Sequence, residues 1–350
     1  MKRIENMQIQ PEETLQKRGV VTPLIVEATA RTWFYAQKSY VITGGLGGMG
    51  LELAEWMVNR GCRNLLLTTR SGVRTGYQRL CLHRFQKSRA NVIVRKIDAS
   101  EEDGARKAIE EATAMGPVGG IFILAVALRD GLLENQTAEA FETVMKIKID
   151  GTRHLDKVSR EMCPELDHFV AFSSLSAGVG NVGQTNYGYA NSAMERICEL
   201  RAAQGLPGMA IQWGAVADVG VHHNVMGDGA TVAGSMPQRI RSCIALMDQF
   251  LNQSHPVVSS CVKADLSTED GRKKCSLVDV IARILGIKEP SGLNPSISLG
   301  ELGMDSLMAV EVRQAIERHV SLTLSMKEIR LLTIDGLGKL SEGVTASETA

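Results

Sequence analysis

Ser39-Tyr40-Val41-Ile42-Thr43-Gly44-Gly45-Leu46-Gly47-Gly48-Met49-Gly50 is the stretch whose reading decides the fold. A short β-branched run ends in a glycine cluster, and Leu51–Arg60 then follows as an amphipathic stretch of helical length. Strand, glycine turn and helix in that order form the start of a βαβ unit. Glycines permit the tight turn and let backbone N–H groups approach a pyrophosphate at the helix N-terminus. Thr43, Gly44, Gly45, Gly47, Gly48 and Gly50 are therefore candidate dinucleotide-binding positions.

Outward from this stretch the same rhythm recurs. Apolar runs at Asn64–Thr68, Val92–Ile97, Gly120–Val126, His168–Ser173, Gly208–Trp213 and Pro256–Val262 alternate with helical stretches such as Ala105–Met115, Ala138–Val158 and Tyr187–Gln204. Such alternation predicts an α/β fold, a Rossmann-like doubly wound parallel sheet with helices on both faces. Ala215–Ser235 is rich in Gly and Val, breaks the rhythm after the sixth strand, and reads as a mobile substrate lid. Residues 1–38 carry weak periodicity and read as the end of an upstream domain, which leaves 39–264 for the α/β domain. Residues 265–276 are polar and charged and read as a linker. Leu277–Leu285, Ser306–His319 and Leu331–Leu340 then predict a small all-α bundle over 277–341, with 342–350 as a frayed, disordered tail.

Hydrophobic residues make up 44% and charged residues 22% of the 350, an ordinary globular balance. The formal net charge is zero, so nothing in the overall charge points to nucleic acid or to a membrane surface. The seven cysteines form no CxxC pair and no metal-ligand spacing, which suits a reducing compartment and predicts no metal. The first residues are too polar for a signal peptide, and the cytoplasm is the expected location.

Two positions refine the cofactor. Thr69-Arg70-Ser71 ends the second strand, where an enzyme using NAD would place an acid for the ribose hydroxyls. Arg70 with Ser71 suits a 2′-phosphate, so NADPH is expected, although Arg70 also reads as a solvated surface charge. Asp98 closes the third strand and either contacts the adenine or caps the next helix.

Ser174 ends the fifth strand, and Tyr187 and Asn191 follow one helical turn apart. Ketone reduction needs a proton donor at the carbonyl oxygen while hydride reaches carbon. A tyrosine serves if a cation lowers its pKa, and a serine hydroxyl holds the same oxygen. These residues resemble the short-chain dehydrogenase/reductase superfamily. Most members carry lysine four residues after the tyrosine, where this chain has Asn191. The ketoreductases of animal fatty acid synthases and modular polyketide synthases take that lysine from an earlier helix. In Met145-Lys146-Ile147-Lys148-Ile149-Asp150-Gly151-Thr152 the matching residue is Lys148, with Lys146 as the fallback.

Ser39–Ala54, Leu128–Thr137, Gly188–Glu199 and Gly205–Gly220 extend the likeness to animal-type fatty acid synthase. It implies Ser174 orienting the carbonyl, Tyr187 donating the proton, Lys148 lowering its pKa, and Asn191 completing the relay. Leu128-Arg129-Asp130 stands where relatives giving R products carry Leu-Asp-Asp, with the middle residue changed. Downstream, Glu301-Leu302-Gly303-Met304-Asp305-Ser306-Leu307 resembles the attachment site of an acyl carrier. Ser306 would then bear phosphopantetheine, although a plain helix N-cap is the alternative reading. The implied partners are the acyl chain on the protein's own carrier, the other synthase domains, and a phosphopantetheinyl transferase, with a homodimer in the full enzyme. The expected reaction is NADPH-dependent reduction of carrier-bound β-ketoacyl thioesters in fatty acid synthesis. A polyketide synthase portion or an inactive scaffold are the alternatives.

Overall fold

The computed structural model describes residues 31–218, 235–263, 277–287, 294–320, 322 and 324–345. Most of the expected lid, the linker and part of the tail lie outside the described residues.

Seven parallel strands form one sheet: β1 (Ser39–Thr43), β2 (Asn64–Thr69), β3 (Asn91–Lys96), β4 (Val118–Ile123), β5 (His168–Ser174), β6 (Met209–Trp213) and β7 (Val257–Ser260). Their order is 3-2-1-4-5-6-7, so the chain reverses direction across the sheet between β1 and β4. Every residue of β1 and β4 is buried, which is why these strands read as unbroken apolar runs and not as alternating ones. Helices α1 (Gly48–Asn59) and α2 (Gly76–Lys87) cover one face, and α3 (Glu102–Thr113), α5 (Gly151–Met162) and α7 (Thr185–Ala203) cover the other. A later helix, α8 (Ile240–Leu251), returns to the α1 face. The periodicity left α2 unread because it buries only Cys81 and Phe85; a capping box between Thr75 and Gln78 starts it.

The expected break at Ser39 does not match the packing. Phe34 is fully buried against Tyr40, Trp56, Phe122 and His168 in edge-on contacts, and Thr32 N donates to Asp248 Oδ1 at 2.8 Å. Residues 32–38 therefore belong to the α/β core, and burying one phenyl ring there contributes about 2–3 kcal/mol.

The helix expected over Ala138–Val158 differs in its middle. It starts as α4 (Ala138–Met145), widens to a π turn over Lys146–Asp150, and continues as α5. Gly151 N donates to Lys146 O, five residues back. A π turn therefore brings residues five apart onto one face. Val144 and Ile149 accordingly share one apolar cluster against Ala190 of α7.

Behind this helix, Arg201 of α7 is 2% exposed. It donates to Asp156 Oδ1 at 2.5 Å, Ser159 Oγ at 3.1 Å and Pro207 O at 2.6 Å, and its guanidinium lies 4.0 Å from the Phe169 ring centre. Arg160 also holds Asp156, so Arg201→Met leaves no orphaned acid. We expect Arg201→Met to lower stability by about 2–3 kcal/mol, below the usual cost of breaking a buried pair. Urea denaturation checks this; turnover per folded molecule should stay unchanged, since Arg201 lines no part of the cleft described below.

The C-terminal region forms its own small bundle: α9 (Leu277–Ile284), α10 (Ser306–Val320), α11 (Met326–Leu331) and α12 (Ile334–Thr345). Leu277, Ile281, Leu299, Met304, Val312, Ile316, Ile329 and Leu337 are its core. The region expected to lack strands contains one isolated bridge, Ser298 to Thr333.

Candidate active site

A cleft of 510 Å³ opens at the carboxyl ends of the strands, the place where a doubly wound sheet binds ligands. Its first end is built by the glycine turn. Gly44 has φ +67°, and a Cβ there would press on Ala125 backbone atoms at 3.0 Å. Gly47 caps α1 without a side-chain bond, and α1 has no acid in its first turn. The helix N-terminus therefore meets the cleft with its positive end uncompensated by the protein's own side chains. Thr43 Oγ1, buried beside it, has no partner among the described residues. This cradle fits a dinucleotide: close backbone, an open helix end, and a polar atom awaiting a ligand.

Arg70 and Ser71 are exposed and line the same end of the cleft. Asp98 lines it as well, and the structure resolves its two readings in part. Its Oδ1 accepts from Ser100 N at 3.0 Å and Ser100 Oγ at 2.7 Å, a local turn. Glu101 is the N-cap of α3 and makes no side-chain cap bond, so Asp98 does not cap that helix.

The other end brings Ser174, Tyr187 and Lys148 to one wall system. Ser174 caps the short helix α6 (Leu175–Gly178); its Oγ accepts from Ser176 N at 3.2 Å and from Ser176 Oγ at 3.0 Å. With Ser176 Oγ donating across this pair, the Ser174 hydroxyl keeps its own proton to donate. Tyr187 sits in the first turn of α7, its backbone N–H held by Asn186 Oδ1 at 2.7 Å. Asn186 is itself buried and donates to Arg129 O and Gln136 Oε1, tying the tyrosine to the 129–136 loop. Asp130 on that loop accepts from Gln184 Nε2 at 2.8 Å, and burial raises its carboxyl above the usual range.

The two candidate lysines separate cleanly. Lys146 is exposed and pairs with Glu101. Lys148 is 2% exposed, with Nζ donating to Phe172 O at 2.8 Å and lying 5.6 Å from the Tyr187 ring centre. The π turn produces this: it lets Ile147, Lys148 and Ile149 all be buried in succession. Thr152 Oγ1 takes up the Lys148 carbonyl at 2.6 Å. Thr152→Val removes that donor from a buried carbonyl and should cost about 1–3 kcal/mol of stability. Thermal melts check it, with Thr152→Ser, which keeps the hydroxyl, expected to avoid most of the loss.

Burial sets the titration of both groups. It pushes Lys148 down to about 7 and Tyr187 up to about 12. For the phenol, desolvation outweighs the lowering by a hydrogen bond with the Asn191 side chain, and the nearby Asp130 charge adds to the rise. Asn191 is buried one turn after Tyr187 and lines no part of the cleft; its Nδ2 donates to Tyr187 O at 2.9 Å, and its Oδ1 has no partner among the described residues.

In the C-terminal bundle, Asp305 Oδ1 accepts from Met308 N at 2.7 Å, three residues on. Asp305 is thus the N-cap of α10 and Ser306 is its first residue, which removes the plain N-cap reading of the serine. The Ser306 side chain lies outside the described residues. Met304, buried in the bundle core, and Gly303 at φ +84° anchor the turn before it.

Among the described residues no cluster of His, Cys, Asp and Glu could hold a metal ion, and no helix is long and apolar enough to cross a membrane. The sequence reading missed the buried row Ser173, Glu195 and Gln212 directly behind Ser174. A glutamate eight residues after Tyr187 on the same helix face was the signal available.

Known proteins share this fold. The KR domain family matches residues 38–218, and the phosphopantetheine attachment site family matches 275–342. A reducing polyketide synthase, DEP5 of Alternaria brassicicola, is 34% identical over 197 residues, 56% of this chain and 8% of its own length. A mycocerosic acid synthase-like polyketide synthase of Mycolicibacterium smegmatis is 29% identical over 360 residues, 93% of this chain and 17% of its own. The chain thus spans only a small part of the relatives it matches. Among solved structures, an N-terminal ketoreductase from the macrolactin assembly line superposes with TM-score 0.57 at 27% identity, over 68% of this chain and 47% of that one. A ketoreductase domain from the bacillaene assembly line gives TM-score 0.59 at 25% identity, over 69% and 61%. A Rossmann-like sheet, a cleft that gathers serine, tyrosine and buried lysine, and a family match over half the chain place it in the KR domain family of ketoreductases, followed by a phosphopantetheine attachment domain.

Proposed function

We propose that the chain reduces the β-ketone of an acyl group held as a phosphopantetheine thioester, giving the β-hydroxyacyl thioester, with NADPH as cofactor. The observation that carries this is the convergence of Ser174, Tyr187 and Lys148 on a cleft that also takes in the glycine turn and Arg70. Bound NADPH supplies the hydride that adds to the carbonyl carbon. Ser174 donates its free proton as a hydrogen bond to the carbonyl oxygen and fixes it. Tyr187, protonated well above neutral pH, gives its proton to that oxygen as charge develops there. Lys148 in its ammonium form stabilises the phenolate left behind, and Ser306 carries the arm.

Arg70 lines the cleft with no acid at the end of β2, which favours the 2′-phosphate. Arg70→Glu should weaken NADPH binding about tenfold or more and leave NADH binding within a few-fold, since an acid repels the phosphate and suits ribose hydroxyls. Fluorescence titration with each cofactor reads this out.

Whether the product belongs to fatty acid or polyketide assembly divides the observations. The resemblance of Ser39–Ala54 and Gly188–Glu199 is to animal fatty acid synthase, whereas the relatives described above are polyketide synthases. The test uses the full chain, a short β-ketoacyl thioester and NADPH. Turnover supports the reading, and absence of turnover in folded protein that binds NADPH counts against it. Incubation with coenzyme A and a phosphopantetheinyl transferase should load the wild type and leave Ser306→Ala unloaded. Comparing unbranched with α-methyl β-ketoacyl thioesters then separates the two product classes.

A further inference from the structure

Behind the Ser174 wall lies a charged group that the reaction above does not use. Glu195 is 3% exposed on α7, two turns beyond Tyr187. Its carboxylate accepts from Ser173 Oγ, and Gln212 Nε2 donates to both its oxygens at 3.0 Å. Gln212 Oε1 in turn accepts from Ser259 Oγ at 2.7 Å. Ser173, Gln212 and Ser259 are register partners on adjacent strands β5, β6 and β7. They form one polar row across the sheet, one residue before its carboxyl edge, where the rows beneath carry Ala171, Ala210 and Val257. Taking a carboxylate out of water carries a desolvation cost, whereas a row of alanine and valine would pack there without it. What a carboxylate gives in return is direction: three hydrogen bonds of fixed geometry between a helix and two adjacent strands.

Two of the elements so joined, α7 and β5, bear reacting groups. Ser173 precedes Ser174 on β5, and Glu195 shares α7 with Tyr187. A second contact holds α7 close to α6, the helix that Ser174 caps, since a Cβ on Gly188 of α7 would approach Ser176 O to 2.7 Å. The row also separates two adjacent serines: the Ser173 proton is committed to Glu195, and the Ser174 proton stays free for the cleft.

We propose that Glu195 is a positioning residue for ketone reduction, setting the spacing of Ser174 and Tyr187 through the row Ser173–Glu195–Gln212–Ser259. The proposal rests on the reductase reading above. Misplacing a reacting group by about 1 Å costs on the order of 100-fold in rate. The test compares wild type, Glu195→Gln, and the swapped pair Glu195→Gln with Gln212→Glu in the full chain, measuring kcat, KM, NADPH affinity and thermal midpoint. Glu195→Gln should lower kcat about 10- to 100-fold, with KM and NADPH affinity within about threefold. The swapped pair, which returns a carboxylate to the row, should regain at least a third of that loss on a logarithmic scale. Glu195→Gln that melts earlier yet turns over at the wild-type kcat per folded molecule would overturn the proposal, as would a swap that restores the midpoint but not kcat. Wild type and variants all inactive while binding NADPH would instead overturn the reductase reading, and this proposal with it.

Discussion

Tyr187→Phe should lower kcat for a β-ketoacyl thioester about 1,000-fold and leave NADPH affinity within twofold. The phenol is the one group in the cleft that joins three properties. It is held protonated at neutral pH because burial pushes it up to about 12. It lies beside a buried amine, with Lys148 Nζ 5.6 Å from its ring centre. It shares the cleft with Ser174, the second group able to meet a carbonyl oxygen. Removing a positioned proton donor costs about 10²–10⁴ in rate. Phenylalanine keeps the ring that packs with Val144, Ile149 and Ala190, so the fold should hold. Steady-state NADPH oxidation measures the rate, and retained turnover above a tenth of wild type would remove Tyr187 from the proton-donor role.

Lys148→Met should have two effects of opposite sign, a loss of kcat of about 100-fold or more and a gain in stability at pH 7 and below. Burial depresses the amine to about 7 in the folded chain. The unfolded chain, with an ordinary lysine near 10.4, therefore holds more protons than the native state between about pH 7 and pH 10. Stability contributed by this group rises across that window. Below pH 7 the full cost of a buried ammonium applies, on the order of a few kcal/mol. Methionine removes that cost, so the variant should melt later than wild type at pH 6, with the gap narrowing as pH approaches 10. In the wild type, reduction should weaken as pH rises through about 7, because the ammonium form is the one that stabilises a departing phenolate. Lys148→Met should show no such limb. Thermal midpoints at pH 6, 8 and 10 and a kcat profile over the same range check both halves. A variant less stable than wild type at pH 6 would show that the lysine is held by more than its bond to Phe172 O.

Much of this site is legible in the sequence. Strands buried on both faces leave unbroken apolar runs, so the βαβ rhythm survives in one dimension. The glycine turn is legible because only residues without a Cβ fit beside Ala125. Ser174 and Tyr187 could be paired because each sits at an element end, where strand termination and helix start are locally encoded. The carrier turn was legible for the same reason, with Asp305 now the cap and Ser306 the residue after it.

What the chain's own residues determined, then, is the class of fold, the cofactor cradle and two of the three groups on the cleft. Tertiary structure alone decided the rest. The resemblance put Lys148 ahead of Lys146, but its burial on the cleft comes from the π turn that carries it. That turn reads in sequence as an uninterrupted amphipathic stretch, since its hydrogen bonds leave no compositional mark. Glu195 finds Ser173 and Gln212 only once β5 and β6 align in register, 22 and 17 residues away along the chain. Local periodicity encodes which face of an element is apolar. It does not encode which remote polar group will stand opposite, because that follows from strand order and register, which close only when the sheet forms.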